Sequence, residues 1–117
     1  MNRILLVCLG ALGACAGPGN PHGDWTVLSA EVGGEEQAAV GILEVDRDAE
    51  TLFRVMSEVL EFDASGRSVV SNSTAEVLVF EDDRLIEGVC VVADDAMTCT
   101  LTVDDEAAAV SLGRERD

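Results

Sequence analysis

Residues 90–103 read CVVADDAMTCTLTV, a stretch in which two apolar segments flank an Asp-Asp pair. Over residues 97–103 the apolar side chains alternate strictly with three threonines, the pattern of a β-strand with one buried face. Aspartate tolerates the backbone of tight turns, so the segments on either side of Asp94-Asp95 should pair with each other. The stretch predicts an antiparallel hairpin with Cys90 opposite Cys99 on its inner face.

A second turn, at Asp104-Asp105, extends the same pattern. Pairing about the two turns surrounds residues 97–103 with inward partners: Val92, Cys90, Gly88 and Ile86 oppose Met97, Cys99, Leu101 and Val103 on one side, and Leu112, Val110 and Ala108 oppose Met97, Cys99 and Leu101 on the other. A slip of one residue would destroy this apolar face, so the register is predicted together with the strands.

Short segments rich in Val and Thr, separated by acidic or glycine-containing turns, make up the rest of the chain. We predict strands at 25–32, 40–45, 51–62, 67–71, 75–81, 84–92, 97–103 and 107–113, with turns at 33–34, 46–49, 63–66, 82–83, 94–95 and 104–105. Connections this short predict an all-β, antiparallel up-and-down meander barrel of about eight strands. Residues 52–60 also fit helical spacing with Asp48 as N-cap, but a long bent strand is favoured because the neighbouring segments are strands.

The chain begins with Arg3, an apolar run over residues 4–12 and then small residues, the layout of a secretory signal peptide. Leu12-Gly13-Ala14-Cys15 resembles a bacterial lipobox, which implies cleavage after residue 14 and acyl chains on Cys15 that insert into the lipid bilayer. Ala16 is not the aspartate associated with inner-membrane retention, so we expect an outer-membrane anchor in a Gram-negative source, facing the periplasm or the cell surface. The alternative is an ordinary signal peptide cut near Ala14 or Ala16.

This interpretation divides the chain into a signal peptide (1–14), a lipidated flexible tether (15–23) and a barrel domain (24–117). Both prolines and the one histidine, His22, lie in the tether, and lysine is absent throughout. The barrel domain therefore has no Ser-His, Cys-His or His-metal site, and no nucleotide-binding motif is present. We predict no catalytic activity, no cofactor and no metal site.

Net charge restricts the partners. The formal charge is -16, with 23 acidic residues against seven arginines. Such a surface repels nucleic acid and attracts cationic partners, although solubility alone would also explain it. The alternating acids of residues 46–50 are similar to the start of a calcium loop but lack its glycine and distal glutamate, so solvated turns are the preferred interpretation.

Processing would remove Cys8 and modify Cys15, which leaves Cys90 and Cys99 as two thiols in an oxidising compartment. About a two-residue turn these positions form a non-hydrogen-bonded pair with Cα atoms about 4.5 Å apart. A metal clip would need two further ligands, and a redox pair would favour a Cys-x-x-Cys at a helix start. We predict a structural disulfide within one hairpin.

Gly23-Asp24-Trp25 on the first strand and Arg114 late in the chain resemble the pattern of lipocalins and related small barrels. The resemblance implies a closed barrel that brings Arg114 across the face of Trp25. The chain has no tyrosine and so lacks the Thr-Asp-Tyr motif of lipocalins. Whether the barrel holds a cavity or is filled by its own side chains stays open.

Three functions are compatible with these features. The first is a membrane-anchored, non-catalytic binding or structural domain. The second is an acidic inhibitor or scavenger of a cationic protein, similar to small barrel lipoproteins that inhibit lysozyme. The third is a carrier of a small apolar ligand. The sequence does not predict the oligomeric state.

Overall fold

The computed structural model describes residues 19–114, which form nine β-strands and no helix. The strands are β1 (Gly23–Val32), β2 (Glu35–Ala38), β3 (Val40–Val45), β4 (Glu50–Met56), β5 (Glu61–Ser71), β6 (Thr74–Glu81), β7 (Arg84–Ala93), β8 (Ala96–Val103) and β9 (Glu106–Arg114). The predicted signal peptide, Cys15 and the first part of the predicted tether lie outside the described residues. Within residues 19–114 there is no helix that could cross a membrane.

All nine strands belong to one antiparallel sheet that closes on itself. Each strand from β3 to β8 pairs with the next, and β1 pairs with both β3 and β9, which gives a closed barrel of eight strands. The short β2 is an extra strand that pairs with the second half of β1, on the same edge as β3. The predicted all-β meander barrel is therefore confirmed.

Register in the C-terminal half agrees with the sequence prediction at every position. Cys90 pairs with Cys99, Val92 with Met97, Gly88 with Leu101 and Ile86 with Val103. On the other side of β8, Leu112, Val110 and Ala108 pair with Met97, Cys99 and Leu101. The inward positions of β8 are all buried and its threonines are exposed, as the alternation requires.

The predicted strand 51–62 was wrong, because the chain turns between Met56 and Glu61. Ser57 builds this turn: its hydroxyl accepts hydrogen bonds from the backbone N–H groups of Val59 and Leu60, and its own N–H donates to the carbonyl of Leu60. Neither a long bent strand nor a helix forms there. A serine that binds the backbone in this way stabilises a local turn.

The predicted turn at 63–66 was also wrong, because Asp-Ala-Ser-Gly lies in the middle of β5. Ala64 is buried, and a Cβ on Gly66 would overlap the carbonyl oxygen of Leu78 on the next strand. Small residues at these inward positions let the backbones of β5 and β6 approach closely, so a turn-like composition occurs here within a strand.

The interior of the barrel is filled by its own side chains. Trp25, Phe53, Phe62 and the aliphatic residues around them form one continuous buried cluster, within which the rings of Phe53 and Phe62 meet edge to face at 5.1 Å. A barrel of eight strands is just wide enough for side chains to fill it. A ligand inside would have to displace core residues.

Candidate functional site

Trp25 and Arg114 lie directly opposite each other where β1 and β9 close the barrel. The guanidinium carbon of Arg114 is 3.9 Å from the centroid of the indole ring, and the ring itself is fully buried. Stacking of an arginine on an indole is favourable because the ring face carries negative charge. The structure thus brings together the two residues that the lipocalin resemblance singled out.

Arg114 also holds the chain that precedes β1. Its two terminal nitrogens donate hydrogen bonds to the carbonyls of His22 and Asn20, both at 2.9 Å, and the indole N–H of Trp25 donates to the carbonyl of Pro21. Residues 19–22, part of the segment predicted to be a flexible tether, therefore lie against the barrel. The indole N–H explains part of this packing, since a buried tryptophan needs a hydrogen-bond acceptor and the carbonyl of Pro21 provides it.

His22 is the one histidine of the chain, and it has a structural contact. Its Nδ1 lies 2.8 Å from the carbonyl oxygen of Asp46, in the turn between β3 and β4. We call this side of the barrel, with residues 19–22 and the turns at 46–49, 72–73 and 94–95, the tether end. The opposite side, with the turns at 33–34, 57–60, 82–83 and 104–105, is the far end.

Cys90 and Cys99 form a disulfide between β7 and β8, and both side chains are fully buried. Their Cα atoms are 3.9 Å apart, closer than the about 4.5 Å expected of a non-hydrogen-bonded pair. The bond faces the core and joins strands that already pair through their backbones. It is a buried crosslink between two paired strands, and residues 19–114 contain no free cysteine.

Two buried hydroxyls face each other inside the barrel near the tether end. Thr51 and Ser68 are hydrogen-bonded at 2.6 Å, and the Thr51 hydroxyl also lies 3.1 Å from the carbonyl of Ala49. These bonds satisfy polar groups that would be costly to bury alone. Neither hydroxyl is hydrogen-bonded to a histidine or a carboxylate within the described chain, so the pair lacks the base that an activated nucleophile needs.

Arg84 organises the far end. It binds Asp104 through Nε and Nη2, at 3.0 and 2.9 Å, and its Nη1 donates to Glu81 and to the carbonyl of Glu61. One side chain thereby connects three separate turns. The N–H of Asp63 and the guanidinium of Arg84 both donate to Glu81 and hold the pKa of its carboxyl below the ordinary 4.5. Asp104 and then Glu81 raise the pKa of Arg84.

The remaining acids of the turns do not converge. Asp46 accepts hydrogen bonds from the N–H groups of Asp48 and Glu50, both at 2.9 Å, so the calcium-like pattern of residues 46–50 forms a local turn. No group of three or more His, Cys, Asp or Glu side chains in residues 19–114 is arranged to hold a metal ion.

Acidic residues are concentrated at the far end. Its turns and the adjoining strand ends contain Glu35, Glu36, Glu58, Glu61, Glu81, Asp82, Asp83, Asp104, Asp105 and Glu106. Arg84 is the one basic residue among the described residues of these turns and strand ends. The end of the barrel away from the N-terminal segment is therefore strongly negative.

An open groove of about 890 Å³ crosses the outer face of β5 to β8. We call it the β5–β8 groove. Its lining includes three apolar side chains, Val69, Leu78 and Val89, which are 67%, 45% and 43% exposed. Glu76 and Glu87 lie among them. Apolar residues at outward strand positions are the signal that could have indicated this groove from the sequence.

Protein-family models, curated proteins and solved structures were compared with this chain, and none matches. Sequence reasoning identified Trp25, Arg114 and the two barrel cysteines. It missed the Arg84 network, the packing of residues 19–22 and the β5–β8 groove, which all depend on contacts between distant segments.

Proposed function

We propose that this chain is an exported bacterial lipoprotein, anchored in the outer membrane through acyl chains on Cys15, whose lipocalin-like barrel is a non-catalytic binding domain for cationic proteins. The lipobox resemblance of residues 12–15 supports the anchor. The Gly-x-Trp and late arginine support the likeness to lipocalins. The proposal gives the protein no cofactor and no nucleic-acid partner.

The filled interior carries this proposal. Because core side chains occupy the space where lipocalins hold small ligands, a partner must bind the outer surface. That surface belongs to a chain with a formal charge of -16, which raises the rate of encounter with cationic proteins. Because the interior is filled, we do not propose a carrier of small apolar ligands.

Attachment at Cys15 would orient the barrel. The four Cα–Cα steps from Cys15 to Gly19 span at most about 14 Å, whatever the conformation. Arg114 and Trp25 hold residues 20–22 against the tether end. A lipid anchor at Cys15 would keep the tether end near the bilayer and direct the acidic far end away from it.

Binding to a basic protein tests the proposed function. The full chain with Cys15→Ala, which carries no acyl chain, is immobilised and titrated with hen lysozyme at two salt concentrations. We expect saturable binding at low salt that weakens at high salt, because exposed charges are screened over about 10 Å at 0.1 M. Lysozyme with acetylated lysines is the control. Equal binding of both forms, or no binding, would contradict the proposal.

The anchor needs a separate measurement. Cells expressing the wild-type chain are labelled with a palmitate analogue beside cells expressing the Cys15→Ala chain. We expect label on the wild type and none on the variant. Equal labelling of the two would exclude Cys15 as the lipidated residue.

A further inference from the structure

The three apolar side chains of the β5–β8 groove form a triangle across three strands. Val69 and Val89 both pair with Glu76, so they lie at the same level, two inter-strand spacings or about 9.5 Å apart. Leu78 lies two residues further along β6, to one side of the line between them. Residues i and i+7 of an α-helix are about 10.5 Å apart and residue i+4 lies to one side of that line, so the apolar stripe of a helix matches this triangle.

Two carboxylates interrupt this apolar surface without partners of their own. Glu76 lies between Val69 and Val89, and Glu87 lies beside Leu78. Neither carboxylate accepts a hydrogen bond or forms an ion pair within residues 19–114. The nearby guanidinium of Arg67 instead donates to the carbonyl of Asp48. Unpaired carboxylates within an exposed apolar face are complementary to basic side chains.

The same charges argue against other occupants. A second copy that presented this face would place glutamates against glutamates in a chain of formal charge -16. An anionic lipid surface would be repelled for the same reason. A cationic partner instead neutralises Glu76 and Glu87 while it covers Val69, Leu78 and Val89.

We propose that the β5–β8 groove binds a cationic amphipathic helix. The apolar stripe of the helix lies on Val69, Leu78 and Val89, and lysine or arginine side chains beside that stripe reach Glu76 and Glu87. This rests on the proposed function and goes further, because it names the binding surface and the secondary structure of the partner.

The test uses a labelled 18-residue peptide of leucine and lysine arranged with helical periodicity, added to the full chain carrying Cys15→Ala. A peptide of the same composition in which leucine and lysine strictly alternate is the probe control. Fluorescence anisotropy gives the Kd for each. We expect the helical peptide to bind at least about tenfold more tightly, because its leucines at i, i+4 and i+7 match the triangle of Val69, Leu78 and Val89.

Variants locate the contact. Glu76→Gln with Glu87→Gln should raise the Kd about tenfold, and Leu78→Thr about fivefold. Two matched controls lie outside the groove: Asp82→Asn with Asp83→Asn removes the same charge at the far end, and Met56→Thr removes an apolar side chain of similar exposure. Both controls should change the Kd less than twofold. Thermal unfolding of every variant verifies that these outward substitutions leave the barrel folded.

The proposed binding site is wrong if the aspartate variant weakens binding as much as the glutamate variant, or if the two peptides bind equally. It is also wrong if the wild-type chain binds lysozyme but not the helical peptide, and the proposed function then stands without this site. If the chain binds neither lysozyme nor the peptide, the proposed function and the groove both fail.

Discussion

At the scale of single residues, Arg114 has several distinct roles. It covers the indole of Trp25 and donates hydrogen bonds to two carbonyls of the segment before β1. One side chain therefore joins the first strand, the last strand and residues 20–22. The sequence predicted the stacking through a family resemblance. It could not predict the carbonyl partners, because a Gly- and Pro-rich segment has no pattern of its own that indicates packing.

Replacing Arg114 by alanine should lower the free energy of unfolding by about 2 kcal/mol, because the indole contact and two charged hydrogen bonds are lost together. Trp25 is the one tryptophan, so its emission spectrum should shift to the red as water reaches the ring. Arg47→Ala is the control, because Arg47 is exposed and makes no hydrogen bond or ion pair in residues 19–114. Equal stability and equal emission in Arg114→Ala and the wild type would contradict this assignment.

Glu81 should make part of the fold sensitive to acid. Its carboxyl has a pKa below the ordinary value in the folded state, chiefly because the N–H of Asp63 and then Arg84 donate to it. The folded state therefore prefers the charged carboxylate. The contribution of the Glu81 contacts to the free energy of unfolding is complete above pH 4.5 and is lost as the pH falls through the lower folded pKa.

Thermal unfolding between pH 6 and pH 3 tests this sign. The wild-type chain should lose more stability over that range than Glu81→Gln, whose side chain does not titrate. Glu58→Gln is the control, because Glu58 is exposed and makes no hydrogen bond or ion pair in the described chain. Parallel curves for the wild type and Glu81→Gln would show that the Glu81 contacts do not couple to protonation.

At the scale of strands, the sequence was most informative where a polar face alternates with an apolar one. Strands β6 to β9 and their Asp-Asp turns followed directly from that alternation. Strand β2 could not be predicted, because Glu-Glu-Gln-Ala has no alternation. It forms because β1 is longer than β3, so the second half of β1 has an edge that the returning chain can pair with.

The disulfide between β7 and β8 should contribute about 2 to 3 kcal/mol, because it closes a short loop in the unfolded chain. Urea unfolding of Cys90→Ala with Cys99→Ala should show that loss, and a reductant should destabilise the wild type by a similar amount while leaving the variant unchanged. Peptide mapping after alkylation of denatured, unreduced protein should label neither cysteine. Complete labelling of both would refute the crosslink.

Gly88 shows how a close approach between two strands constrains the sequence. A Cβ at this inward position would overlap the carbonyl oxygen of Thr100 and lie 2.7 Å from Cδ2 of Leu101. Gly88→Ala should therefore cost about 1 to 3 kcal/mol, because backbone on the next strand cannot move aside. Gly113→Ala is the matched control, since its Cβ would meet only Cδ1 of Leu28 at 3.5 Å, and it should change stability by less than about 0.5 kcal/mol. Equal effects in chemical denaturation would contradict the close approach.

At the scale of the whole molecule, the barrel closes because successive strands present their buried apolar side chains on the same face of the sheet. The pairing of β1 with β9 then encloses that face. The β5–β8 groove is different, because it depends on which outward side chains become neighbours across four strands. Predicting which side chains become neighbours requires the register of β5. The sequence pattern predicted a turn at 63–66, inside this strand, so the register could not be predicted.

The net charge makes stability and binding depend on salt in opposite directions. Acidic turns at both ends of the barrel repel one another, so sodium chloride should stabilise the fold by screening this repulsion. A rise from 0.02 M to 0.5 M should add about 1 kcal/mol, which raises the Tm by about 4 to 8 °C. The proposed binding of cationic proteins should weaken over the same range.

A comparison of calcium with sodium distinguishes general screening of the acidic surface from binding at a specific calcium site. Because no group of acids in the described chain is arranged to hold a metal, calcium chloride at matched ionic strength should raise the Tm only about as much as sodium chloride. Asp46→Asn removes the carboxylate that organises the turn at 46–49 and serves as the comparison variant. A saturable calcium-dependent rise in Tm that Asp46→Asn abolishes would instead establish a calcium site in that turn, because an ion bound only to the folded state adds stability according to its affinity.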